Sequence, residues 1–159
     1  MKTIFDLKKV NFRKAFVSDL KDLFEIGKMD FGDEKWLTAK FLEDSLLKIG
    51  YHYIAEYDSK TVGGIIVTKY DFPKNWIYYL VVHPDYQRKG IGSAILNLVE
   101  KDVINNLPKK DSLYVDVGTE PEDLAARKFY FKNGFKSEGR VENWFDDGMP
   151  ALVLRKSLR

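Results

Sequence analysis

Two glycines one residue apart, with cations just ahead of them, make Gln87-Arg-Lys-Gly-Ile-Gly-Ser93 the segment of this chain best suited to chemistry. It follows an apolar run, Ile77 to Val82, and precedes an apolar stripe at helical spacing: Ile95, Leu96, Val99, Val103 and Leu107. A loop between a strand and a helix can turn backbone N–H groups toward one point, where the helix dipole favours an anion. Gly90 and Gly92 permit a close approach that a Cβ would hinder, while Arg88 and Lys89 add charge. The chemistry such a loop suits is phosphate binding. It is not a P-loop, because no Gly-Lys-Ser/Thr closes it, and it lacks the Gly-x-Gly-x-x-Gly spacing of dinucleotide folds. Standing alone, the heptapeptide fits a tight turn with two solvated basic residues better than an anion site.

The flanking elements must position that loop. Asn11 to Phe16 reads as an edge strand, and Ser18 as the N-cap of a helix that carries Leu20, Leu23, Phe24 and Gly27 at helical spacing. Residues 28–33 read as a loop. A second helix opens near Asp33, turns Leu37, Phe41, Leu42, Leu46 and Ile49 inward, and ends at Gly50 as a left-handed cap. Three antiparallel strands follow, His52 to Tyr57, Thr61 to Tyr70 and Trp76 to Val82, separated by a turn at 58–60 and a break at 71–75. The third lacks polar alternation, which predicts a central strand covered on both faces. Beyond the loop, Pro108 closes the helix and Leu113 to Val117 gives another strand. Pro121 to Asn133 reads as a helix with Gly134 past its end, and Asp147-Gly148 as the turn of a final hairpin. Gly63-Gly64 marks a bulge or close packing, and His83 belongs to a Val-His-Pro bend. The order predicts a mixed α/β (α+β) fold, neither doubly wound nor a barrel.

Composition narrows the function. The 159 residues are 45% apolar and 31% charged, which suits one domain spanning residues 1–159. Lys+Arg exceeds Asp+Glu by only 26 to 24, so no concentrated cationic face announces a nucleic-acid partner. With no cysteine and two histidines, disulfides, thiolate zinc and a cysteine nucleophile drop out, and no metal centre is expected. No signal peptide or membrane span is readable, so a cytoplasmic protein with no membrane partner is the expectation.

The stretch Leu80-Val-Val-His-Pro-Asp-Tyr-Gln-Arg-Lys-Gly-Ile-Gly-Ser-Ala-Ile-Leu96 resembles the acetyl-CoA-binding signature of GNAT-type N-acetyltransferases, Gln/Arg-x-x-Gly-x-Gly/Ala. Downstream, Ala126-Arg-Lys-Phe-Tyr-Phe-Lys-Asn-Gly-Phe135 is similar to the family's second signature, Ala-x-x-x-Tyr-x-x-x-Gly-Phe. Trp144-Phe-Asp-Asp-Gly-Met-Pro-Ala-Leu-Val-Leu-Arg-Lys156 resembles its closing hairpin. The resemblance covers residues 76 to 156 well and the earlier part loosely, leaving residues 1–10 as an N-terminal extension. It implies a three-layer domain with a mixed, mostly antiparallel sheet of about seven strands, about four helices, and a splayed pair of parallel strands ending at Val82 and Val117.

The resemblance also implies roles. Acetyl-CoA is the donor: its diphosphate would rest on the amides of Gln87, Arg88, Lys89, Gly90, Ile91, Gly92 and Ser93, and its pantetheine would pair with the strand Leu80, Val81 and Val82. Tyr130 would meet the sulfur as general acid, although as a bare i, i+4 pair Ala126 and Tyr130 could equally be packing. The family's Asn three residues before Ala126 is Asp123 here, and its Glu two residues before Leu80 is Tyr78. The base is therefore open among Asp116, Glu56, Tyr78, Tyr79 and Glu142. The acceptor would meet Phe31, Asp33, Trp36, Trp144 and Asp146, whose carboxylates and rings suit a cation. The expected acceptor is a small amine, polyamine-like or otherwise, or a peptide N-terminus, and the expected assembly a monomer or homodimer. The competing reading is a CoA-binding regulatory module with weak turnover, motivated by the missing Glu.

Overall fold

Strands β1 (Asn11–Lys14), β2 (Gly50–Tyr57), β3 (Lys60–Thr68), β4 (Trp76–Val82), β5 (Ser112–Gly118), β6 (Lys136–Val141) and β7 (Ala151–Ser157) form one sheet in the order β1-β2-β3-β4-β5-β7-β6. The unalternating run Ile77–Val82 thus lies in the middle strand, as its composition predicts. This computed structural model describes residues 4–69, 75–106 and 112–158. Four α-helices flank the sheet among those residues: α1 (Leu20–Phe31), α2 (Ala39–Leu47), α3 (Ile91–Asn106) and α4 (Leu124–Lys132). Leu23 and Ile26 of α1 pack with Leu42 and Leu46 of α2 and with Ile54, Ile66 and Val81 on one side. Ile91, Ile95, Leu96, Val99 and Val103 of α3 pack with Tyr130 of α4 on the other. Each such fully buried aliphatic side chain contributes roughly 1.5–3 kcal/mol, as an upper estimate, so the two cores hold the layers together.

Neighbouring strands are antiparallel except β4 and β5. That parallel pair has one ladder position, Trp76 opposite Tyr114, closed by a 3.0 Å bond from the Tyr114 amide to the Asn75 carbonyl. Beyond it, among the described residues, the two strands do not pair toward Val82 and Gly118. An opening results in the middle of the sheet. A bulge sits beside it: Ile66 opposes Tyr79 but Val67 opposes Ile77, so Tyr78 is an extra residue on β4. The bulge resets the alternation. Ile77, Leu80 and Val82 face the α3/α4 core, while Tyr79 and Val81 face the α1/α2 core.

Several boundaries differ from the sequence reading, each for a local reason. The segment read as a loop at 28–33 is largely the last turn of α1, which stops at Gly32 with φ +77°. It stays helical because Phe31 packs on Tyr79 and Trp36, 5.9 and 5.4 Å between ring centroids. Ser18 is not the cap: it lies in a 3-10 turn, Val17–Asp19, and the N-cap residue of α1 is Asp19, whose carboxylate makes no bond to the helix but accepts the Phe16 amide at 2.7 Å and the Arg13 guanidinium at 2.7 and 2.9 Å. The second helix starts after Thr38, whose hydroxyl accepts the Phe41 amide at 3.0 Å, and not at Asp33. Ile49 is exposed, and Gly50 opens β2: a Cβ there would lie 1.9 Å from the Val67 carbonyl oxygen, so close strand contact and not a helix cap requires the glycine. Leu107, Pro108, the Tyr70 end of the strand read over 61–70 and the 71–74 part of the break lie outside the described residues. Gly63 and Gly64 sit next to the Ala55/Glu56 register shift under close packing, and His83 N-caps a 3-10 turn by accepting the Asp85 amide at 3.1 Å.

Candidate active site

The loop after β4 has the shape its glycines suggest. Arg88 (φ +60°) and Gly90 (φ +91°) are both left-handed, an alternation that turns successive amides toward one side. The first bond of α3 runs from the Ala94 amide to the Gly90 carbonyl at 3.0 Å, which leaves the Ile91, Gly92 and Ser93 amides as the helix's orphan donors. Ile91 anchors this end in the core at 1% exposure. A Cβ on Gly92 would lie 3.1 Å from the Phe129 ring, so that glycine also lets α4 close against the loop. The Gln87 side chain donates to the Val82 carbonyl and to Asp30 Oδ1, both at 2.9 Å, tying the loop to the end of β4 and to α1. Burial raises the Asp30 carboxyl above its ordinary range. Nothing in the spacing of Asp30 and Gln87, 57 residues apart, announces that contact.

At the opening between β4 and β5, Asp116 accepts two indole hydrogen bonds, from Trp76 at 2.8 Å and from Trp144 at 3.1 Å. Trp144 reaches it from the β6–β7 connection and stacks on Trp76, which stacks in turn on Tyr114, with 6.1 Å between centroids in each case. Tyr130 is buried on α4 between Phe129 and Phe135, at 5.2 Å from each ring. Burial first, and then the negative charge of Asp116, push its phenol well above the ordinary tyrosine range. It therefore keeps its proton throughout the neutral range and is a hydrogen-bond donor there.

On the α1/α2 side, Phe31, Trp36, Phe41, Tyr78 and Tyr79 form one chain of ring contacts between 5.4 and 6.4 Å. Phe31 and Trp36 are thus brought together. Asp33 and Asp146 are exposed and form no hydrogen bond or ion pair with a described residue. Of the carboxylates among the base candidates, only Asp116 is on a strand that borders the opening. Glu56 sits on β2, two strands from β4, and is ion-paired with Arg13. Glu142 pairs with Arg140 at 2.6 Å on the surface. Tyr79 is buried with its hydroxyl donating to the Leu23 carbonyl at 2.7 Å, and burial raises its pKa strongly. Tyr78 packs its ring on Phe41 and under the Lys48 ammonium, 5.0 Å from the ring centre. Asp123 stands over Gly118, where a Cβ would be 2.1 Å from its Oδ2, and burial raises its carboxyl too. The sequence reading left out Trp76 and paired neither indole with Asp116, because these bonds join residues 40 and 28 apart in the chain and no local spacing announces them.

Comparison with known proteins agrees with this fold. The family model for the GNAT acetyltransferase domain matches residues 48–137. The chain belongs to that family. An uncharacterized N-acetyltransferase of Methanocaldococcus jannaschii is 27% identical over 104 residues, 65% of this chain and 64% of that one, so the match spans just under two thirds of that relative's length. A spermidine N(1)-acetyltransferase of Thermoplasma acidophilum is 24% identical over 148 residues, 81% of this chain and 89% of that one. Among solved structures, an Arabidopsis thaliana protein in complex with the bisubstrate analogue CoA-Ac-MVNAL superposes with a TM-score of 0.73 at 26% identity, covering 94% of this chain and 99% of that one. Among the described residues no cluster of His, Asp or Glu could hold a metal ion, and no helix is long and apolar enough to cross a membrane.

Proposed function

We propose that this protein transfers the acetyl group of acetyl-CoA to the α-amine of a peptide N-terminus by direct attack. The observation that carries the reading is the Asp116 carboxylate, held by two indoles where β4 and β5 part, with the buried phenol of Tyr130 in the α3/α4 core near enough for that charge to raise its pKa. The amides of Arg88 to Ser93 and the left-handed backbone at Arg88 and Gly90 suit a diphosphate, with Leu80, Val81 and Val82 along the arm and Gln87 and Lys89 at the rim. When bound, acetyl-CoA supplies an activated acyl thioester. The chain's own groups then have two tasks. Asp116 takes the proton of the attacking amine, directly or through a water. Tyr130, protonated throughout the neutral range, donates a hydrogen bond to the departing sulfur.

The choice of acceptor rests on magnitudes. A Lys-like amine with pKa ~10.4 costs about 4.6 kcal/mol to present neutral at pH 7, and an α-amine near ~7.8 costs about 1 kcal/mol. A single carboxylate with two donors already on it is a modest base, which suits the second. The rings of Phe31 and Trp36 offer an apolar wall for the first side chain of a peptide, whereas Asp33 and Asp146 are exposed and held by no hydrogen bond or ion pair with a described residue. The relative solved with CoA-Ac-MVNAL supports the peptide reading, and the spermidine N(1)-acetyltransferase supports a polyamine. Thiol release from acetyl-CoA, followed with a free-N-terminus peptide, the same peptide N-terminally blocked but carrying Lys, and spermidine, separates them. Turnover with the first alone is expected. Turnover with spermidine alone would replace the acceptor, and CoA binding without release for any amine would favour the regulatory module.

A further inference from the structure

The first residues of the described chain do not stand apart from the site. Leu7 opens a short 3-10 turn, Leu7–Lys9, capped by the Asp6 carboxylate on the Lys8 amide at 3.0 Å and closed by the Val10 amide on the Leu7 carbonyl at 3.1 Å. A Cβ built on Gly90 would lie 3.1 Å from Leu7 Cδ2, so this side chain rests on the left-handed turn of the loop. Phe5 lies under the Lys89 ammonium, 5.4 Å from the ring centre. The same ring packs on Tyr57 of β2 at 4.9 Å and on Tyr86 at 5.9 Å, and those two tyrosines meet at 5.7 Å. Val10 then roots the segment in the α3 core.

We infer that residues 5–10 are a brace for the phosphate-binding loop, with Phe5 and Leu7 as positioning residues for the cofactor. The inference rests on the reading of 88–93 as the diphosphate cradle. Arg88 is a side-chain-bearing residue held at positive φ, a conformation that persists only where the surroundings over-determine it. On one side the loop is held by Gln87 on Val82 and Asp30, and on the other by Phe5 and Leu7. Without the second support Arg88 relaxes toward negative φ and its neighbouring amides turn away from their common point. Lys89, freed from the Phe5 face, also regains its rotamer freedom, which any bound anion must then restrict.

The test uses the full chain with Phe5→Ala and Leu7→Ala made singly, and titration calorimetry with two probes: CoA, and 3′-phospho-ADP, which keeps the phosphates but lacks the arm. Each variant is expected to lose CoA affinity 5- to 20-fold and to lose 3′-phospho-ADP affinity by the same factor. Unchanged CoA affinity in both variants overturns the brace. So does weakened CoA with unchanged 3′-phospho-ADP, because the loss then runs through the arm. Should either variant fail to fold, Phe5→Leu keeps apolar bulk but removes the π face, and is expected to weaken both probes 2- to 5-fold; no change overturns the proposal. Failure of the unaltered protein to bind CoA would instead sink the cradle itself.

Discussion

The indole nitrogen of Trp144 donates to Asp116 Oδ2 at 3.1 Å, while Trp76 holds the other carboxylate oxygen at 2.8 Å. A residue from the β6–β7 connection thereby reaches a strand in the middle of the sheet, and the carboxylate it holds lies beside the opening where β4 and β5 part. Both indoles are donors only, so the carboxylate is oriented without being neutralised. Replacing Asp116 with Asn keeps the size and removes the proton acceptor. We expect Asp116→Asn to lower kcat by ~10²-fold or more, the usual scale of general base catalysis, with CoA affinity kept. Trp144→Phe should lower kcat/KM for the acceptor by a smaller factor, about 3- to 10-fold, as one oriented hydrogen bond of ~1 kcal/mol is lost. Steady-state kinetics beside CoA calorimetry checks both, and full activity in Asp116→Asn removes it as the base.

Tyr130→Phe keeps the ring packed between Phe129 and Phe135 and removes only the hydroxyl. The expected result is a fall in kcat of at least about tenfold, with the CoA dissociation constant within about twofold of the original. An unaltered kcat would mean that Tyr130 is a packing residue.

Two changes at Gly92 separate space from charge. Gly92→Ala presses a Cβ on Phe129 at 3.1 Å while gaining up to about 1 kcal/mol of helix propensity in the first turn of α3, so we expect a net stability change within about 1 kcal/mol in denaturant unfolding and a modest loss of CoA affinity. Gly92→Glu adds a negative charge beside the orphan amides and is expected to abolish CoA binding. Calorimetric titration that still gives CoA binding in the second variant would contradict the placement of the phosphates.

His52 makes stability depend on pH. Its Nδ1 accepts the Val67 amide at 3.3 Å and its Nε2 meets the Lys48 carbonyl at 2.8 Å, a pairing that suits the neutral Nε2–H tautomer. Burial lowers its pKa below the ordinary histidine value. Because the folded state then binds fewer protons than the unfolded one, stability is fully present above about pH 6.5 and falls as pH drops below it. Denaturant midpoints at about pH 7.5 and 5.5 should differ in that direction, and His52→Gln should flatten the difference. A flat profile in the original protein would contradict the shift.

Much of the site was legible because its signals are local. Gly90 and Gly92 between an apolar run and a helical stripe, and Ala126 four residues before Tyr130, each fit within a turn or two of backbone. The order of helices and strands followed from periodicity, the three layers only from the family resemblance, and the middle place of β4 from its missing alternation. What sequence hid was contact across distance. The Gln87–Asp30 bond, the Trp76–Asp116 bond and the Leu7–Gly90 contact join residues 40 or more apart in the chain. The extent of α1 was misjudged because Asp30 and Gly32 read as turn residues, while Phe31 stays helical for tertiary reasons, its packing on Tyr79 and Trp36. Glu56 was a reasonable carboxylate in sequence and an ion-pair partner of Arg13 in space.

The most direct test of the central claim, that backbone amides at the start of α3 grip the diphosphate of CoA, is the amide spectrum of uniformly 15N-labelled protein during a CoA titration. The account predicts saturable shifts, largest at Arg88 through Ser93 and along Leu80 to Val82, with the exposed β6 strand still. Shifts that do not saturate, or that leave Gly90 and Gly92 in place, would contradict it.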